Sequence, residues 1–104
     1  MTVQYYKKDE ALILTLSGEI DHHSAQGMML SIGSLLDARH PLSVALDFSK
    51  VSFMDSSGIA VILNCYRRVK EMGGDVEVFG VSAQARRVLT AAGVDRIVRC
   101  TYAG

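Results

Sequence analysis

A chain of 104 residues has room for one hydrophobic core, so a single domain over residues 1–104 is expected and a two-domain enzyme is not. Hydrophobic residues at 49% and charged ones at 21% give the balance of a soluble globular protein, unlike a disordered tail or a disulfide-stapled miniature. Eleven basic against eleven acidic residues leave no net charge, which argues against the broad positive field of a nucleic-acid binder and leaves partner recognition to a local surface.

Val3 to Lys7 and Leu12 to Leu16 read as two strands, joined as a hairpin through the polar Lys8-Asp9-Glu10, with Leu12, Leu14 and Leu16 sharing one face. From Ala25, the apolar residues Met28, Met29, Ile32, Leu35 and Leu36 recur at spacings of three and four. That predicts a helix with one buried stripe, weakened at Gly27 and Gly33 and closed by Pro41. Ser43 to Phe48 predicts a short central strand in a sheet covered on both faces. A connecting segment, SKVSFMDSSG, leads to a second helix whose stripe is Ile59, Ile62, Leu63, Tyr66 and Val69 and which stops at Gly73-Gly74. Val76 to Phe79 is another strand. Ser82 caps a third helix, with Ala85, Val88, Leu89 and Ala92 on one side, Gly93 ends it, and Ile97 to Arg99 predicts a last strand. The order β-β-α-β-α-β-α-β predicts an α/β fold: a small mixed sheet of four to five strands flanked by three or four helices, with right-handed crossovers.

Cys65 and Cys100 are too few for a disulfide framework or a four-cysteine zinc site and read as free thiols. No apolar run approaches the roughly 20 residues of a membrane span, and the first residues do not form a signal peptide, so a cytoplasmic protein is expected. Adjacent His22 and His23 diverge on a helix or strand, so no metal site is expected, and nothing in the sequence calls for a cofactor. Gly73-Gly74 follows a helix, so it reads as a helix stop and not as a phosphate loop. Arg67, Arg68, Lys70, Arg86 and Arg87 read as solvated helix faces, with a contribution to docking as the alternative. Met28, Met29, Met54 and Met72 read as packing residues, with Met54, beside the serine loop, alternatively an adaptable contact surface.

The informative segment is Phe53-Met54-Asp55-Ser56-Ser57-Gly58-Ile59, between the central strand and the second helix. Loops beyond the carboxyl edge of a parallel sheet are the usual places for ligands and partners. On residue type alone, Asp55, Ser56 or Ser57 can simply cap the helix. Alternatively, one of the two serines is a phosphorylation site: a phosphoserine adds about −1.5 to −2 charges, which the helix N-terminus tolerates and a docked partner does not. Spacing alone does not choose between Ser56 and Ser57. A small serine hydrolase built from Ser57, Asp21 and His22 or His23 is the enzymatic alternative, but no G-x-S-x-G elbow is present, so no catalytic residue is assigned.

Gly18-Glu19-Ile20-Asp21-His22-His23-Ser24-Ala25, followed by Ser52-Phe53-Met54-Asp55-Ser56-Ser57-Gly58-Ile59-Ala60-Val61-Ile62-Leu63, closely resembles the bacterial anti-sigma factor antagonists of the STAS domain family, above all its sporulation-type members. The likeness runs from about residue 3 to residue 100 and takes in Gly73-Gly74 and Ala92-Gly93-Val94. The resemblance implies a non-enzymatic partner switch. Unphosphorylated, such a protein binds an anti-sigma factor that is also a serine kinase, freeing a sigma factor; phosphorylation ends the binding and a metal-dependent serine phosphatase reverses it. It further implies Ser57 as the phosphorylated residue, with Asp21, His22, His23, Asp55, Ser56, Ser57 and Gly58 on the partner-binding face, acting as a monomer without nucleic acid or membrane. The alternative within the family is a module that senses a nucleotide or other ligand, or assembles into a signalling complex. Members commonly finish with a further helix, whereas this sequence closes on Cys100-Thr101-Tyr102-Ala103-Gly104, so a less protected sheet edge is expected.

Overall fold

The computed structural model describes residues 3–103. In chain order it comprises β1 (Val3–Lys8), β2 (Ala11–Ile20), α1 (His22–Arg39), β3 (Ser43–Met54), α2 (Ser57–Glu71), β4 (Asp75–Val81), α3 (Ala83–Ala92), a 3₁₀ turn (Val94–Arg96) and β5 (Arg99–Tyr102). The five strands form one sheet in the order β1-β2-β3-β4-β5, with β1 antiparallel to β2 and every later pair parallel. This is the α/β mixed sheet that the alternation of patterns predicts.

Each parallel crossover steps one strand in the same direction, so right-handed connections place α1, α2 and α3 on one face of the sheet. Leu12, Leu14 and Leu16 of β2, Val44, Leu46 and Phe48 of β3, and Val76 and Val78 of β4 form that face and are buried. They meet Met28, Ile32 and Leu36 of α1, Val61, Ile62, Cys65 and Val69 of α2, and Ala85 and Leu89 of α3. Each large aliphatic side chain buried in this way contributes about 1.5–3 kcal/mol. The expectation of a sheet covered on both faces is therefore corrected. Ile13 and Ala45 point the other way and are shielded by neighbours on the sheet itself, in a hollow they share with Tyr6 and Phe79.

Element ends depart from the sequence reading where a local pattern is interrupted. β2 continues past Leu16 to Ile20 and β3 past Phe48 to Met54, the two pairing through Ile20 and Met54 despite register shifts at Thr15/Ser17 and Gly18/Glu19. Those irregularities break the period of two, so Val51 and Met54 are buried three apart and the segment reads as a loop. α1 starts at His22 and not Ala25. β5 starts at Arg99: the 3₁₀ turn engages the amides of Ile97 and Val98 on the Val94 carbonyl, so Ile97 stays outside the sheet and 52% exposed. Gly33, a weak point by propensity, has a packing reason, because a Cβ there would lie 2.8 Å from Nη1 of Arg68. That guanidinium crosses from α2 over α1 to Asp37, whose Oδ1 accepts from Arg68 Nη2 at 2.6 Å.

Candidate functional site

Ile20 of β2 lies opposite Met54 of β3 in a parallel pair, so the residues that follow, Asp21 and Asp55, leave the carboxyl edge of the sheet side by side. A hydrogen bond from the Asp55 amide to the Ile20 carbonyl, 3.1 Å, ties the two loops together. The topology thus brings together the two motifs that lie about thirty residues apart in the sequence.

Asp21 is the N-cap of α1. Its Oδ1 accepts from the amides of His23 and Ser24, both at 2.9 Å, while Ser24 Oγ accepts from the Asp21 amide at 3.0 Å and donates to the Glu19 carbonyl at 2.7 Å. This is a reciprocal capping box, and Asp-x-x-Ser is its sequence signal. The Ser24 amide above all, helped by that of His23, holds the Asp21 carboxyl below the usual carboxylate range against the opposing effect of desolvation. His22 and His23 are exposed on the first turn of α1, their rings 6.0 Å apart at 67°. The Asp21 carboxylate is occupied by backbone amides and not by an imidazole, so the contacts of a Ser-His-Asp array are not formed.

At the second loop Ser56 takes the N-cap position of α2 but its side chain makes no capping hydrogen bond. Asp55 caps from one residue earlier: its Oδ1 accepts from the Ser57 amide at 2.7 Å and its carbonyl from the Gly58 amide at 3.0 Å, while the Ser56 carbonyl accepts from Ile59 at 3.1 Å. These first amides of α2 are already partnered. A phosphate on Ser57 would meet the helix dipole but not a set of free donors, and its charge would add to that of Asp55. Ser56 is exposed and Ser57 half-buried, so the first turn of α2 offers a serine at the surface. Gly58 is buried because Met54 lies beneath it, and a Cβ at Gly58 would collide with Met54 Cγ and Sδ.

Sequence reasoning missed two residues here. Ser24 carried a readable signal, the capping box. Gln84 of α3 carried none: its side chain accepts from the Met54 amide at 2.9 Å and donates to the Met54 carbonyl at 2.7 Å across thirty residues of sequence. Gln84 also lines, with Ser56, Ile59, Arg87 and Val88, a groove of about 550 Å³ between α2 and α3. Among the described residues no three His, Cys, Asp or Glu side chains gather where they could hold a metal ion, and no helix is long and apolar enough to cross a membrane.

Residues 2–103 match the model of the STAS domain. The chain belongs to the STAS domain family. An anti-sigma F factor antagonist of Paenibacillus polymyxa is 33% identical to it over 87 residues, 84% of this chain and 74% of that relative. The anti-sigma factor antagonist SpoIIAA in its unphosphorylated form matches with a TM-score of 0.82 at 23% identity, covering 98% of this chain and 88% of the other. The Bacillus cell fate determinant SpoIIAA in the phosphorylated form matches with a TM-score of 0.72 at 24% identity, covering 98% and 91%. In this STAS domain the paired loops at Asp21 and Asp55 therefore sit on the fold of proteins solved both with and without a phosphate.

Proposed function

We propose that this STAS domain is an anti-sigma factor antagonist working by partner switching. Unphosphorylated, it binds an anti-sigma factor that is also a serine kinase and so releases a sigma factor; phosphorylation of Ser57 ends the binding, and a metal-dependent serine phosphatase restores it. The docking face is built from Asp21, His22, His23, Asp55, Ser56, Ser57 and Gly58, and the protein acts by binding, as a single-domain monomer in the cytoplasm, and not by catalysis.

One observation carries this reading: Ser57 stands half-exposed on the first turn of α2, beside the Asp21 loop, on a helix start whose amides are already satisfied. A new phosphate there changes the fold little but leaves about −1.5 to −2 charges next to Asp55, facing outward. Like charges brought together across an interface cost several kcal/mol, and every 1.4 kcal/mol is tenfold in affinity, so the modification acts as a gate.

Incubation with the cognate anti-sigma kinase and ATP should place phosphate on Ser57. The Ser57→Ala variant should bind that kinase with unchanged affinity and take no label, and Ser57→Asp should bind at least about tenfold more weakly, as read by calorimetry. Label on another residue, or equal affinity of wild type and Ser57→Asp, would overturn the reading.

A further inference from the structure

We infer that Gln84 is a positioning residue for the loop that carries Ser57, an inference that rests on Ser57 being the residue modified. The reason lies in how β3 ends. β4 pairs with β3 only from Ser43↔Asp75 to Asp47↔Phe79, whereas β2 follows β3 to Met54. Past Asp47 the β4 side of β3 has no strand partner: beyond Phe79, β4 continues only through Gly80, which lies close against Ser49, and Val81, before Ser82 caps α3.

Gln84 fills that place at the last residue of the strand. Accepting from the Met54 amide and donating to the Met54 carbonyl, it supplies on that edge the two hydrogen bonds that a neighbouring strand would supply. Met54 is wholly buried, its side chain lies under Gly58, and its backbone runs directly into Asp55, Ser56 and Ser57. The β2 side is held by the hydrogen bond from Asp55 to Ile20, so Met54 and Asp55 are clamped from both edges. A side-chain amide on α3 thereby fixes where α2 begins and where the Ser57 hydroxyl stands. Gln84 touches no reacting atom; it acts through Met54.

The test uses the full chain, labelled with ¹⁵N, as wild type, Gln84→Ala and Gln84→Glu. In Gln84→Ala the Met54 amide should exchange with solvent about tenfold faster than in wild type, with shifted resonances from Asp55 to Gly58, while Val44 and Leu46 keep wild-type exchange. In Gln84→Glu the carboxylate still accepts from the Met54 amide but repels its carbonyl. The neutral acid donates there again, so below about pH 4 this variant should return to the wild-type loop spectrum and Gln84→Ala should not. With the cognate kinase, Gln84→Ala should lose about tenfold in kcat for Ser57 labelling with KM little changed. Wild-type exchange at Met54 in Gln84→Ala, a uniform rise at every amide, or no return of Gln84→Glu in acid would overturn the inference. Absence of Ser57 label on the wild type would instead overturn the functional reading, and the exchange and acid measurements would still decide the clamp.

Discussion

The carboxylate of Asp21 accepts two backbone hydrogen bonds that its protonated form receives only weakly, which is why its carboxyl sits below the usual range. Because the folded protein binds that proton less readily than the unfolded chain, the contribution of Asp21 to stability is complete above the ordinary carboxylate range. It is lost as pH falls through that range toward the lower folded value. Melting followed by circular dichroism from about pH 5 to about pH 2 should show a falling Tm. Asp21→Asn keeps an acceptor oxygen at the cap, and its Tm should fall less over the same interval. Asp55 and Ser57 illustrate how far residue type reaches. The motif named three candidate caps in a row, and the backbone conformation of Ser56, φ −62 and ψ −17, turns its own hydroxyl away from that role and passes it to Asp55.

At the level of elements, α2 starts where it does because it rests on the end of β3. The contact between Gly58 and Met54 leaves no room for a methyl group, so Gly58→Ala should displace Met54 and cost about 1–3 kcal/mol in urea unfolding. Ser56→Ala, which removes an exposed hydroxyl that caps nothing, should change stability by less than about 0.5 kcal/mol. A loss at Ser56 as large as that at Gly58 would contradict this account. The α1–α2 contact follows the same logic, with Gly33 making space for Arg68. The Arg68–Asp37 pair itself is 38% and 72% exposed and adds little stability. Both glycines look like weaknesses by propensity and become necessary only when the neighbouring element is in place.

Across the whole molecule, Cys65 and Cys100 give two readings of the same core. Burial pushes the Cys65 thiol up to about 12, opposed by nearby Arg68, while the half-buried Cys100 is raised by burial and then by the charge of Asp95. Since the thiolate is the reactive form, a thiol reagent at neutral pH should modify Cys100 slowly and Cys65 at least about a hundredfold more slowly. In denaturing urea the two should react at similar rates; peptide mapping after timed quenching reads both. Rapid native labelling of Cys65 would mean that the layer between α2 and the sheet opens without global unfolding.

The order of strands and helices, the α/β class and the motifs at Asp21 and Asp55 were legible in the chain alone, because period-two and period-3.6 patterning and turn residues are local properties. So was the likeness to anti-sigma factor antagonists, carried by two short segments. Local patterning did not reveal the second half of β3, the single covered face of the sheet, or the clamp from Gln84 to Met54. Bulges interrupt the alternation that would mark the strand, the handedness of three successive crossovers decides the face, and a pairing thirty residues apart exists only once register sets Met54 beside α3. Residue chemistry named the serine loop; strand register and helix packing decided what holds it still.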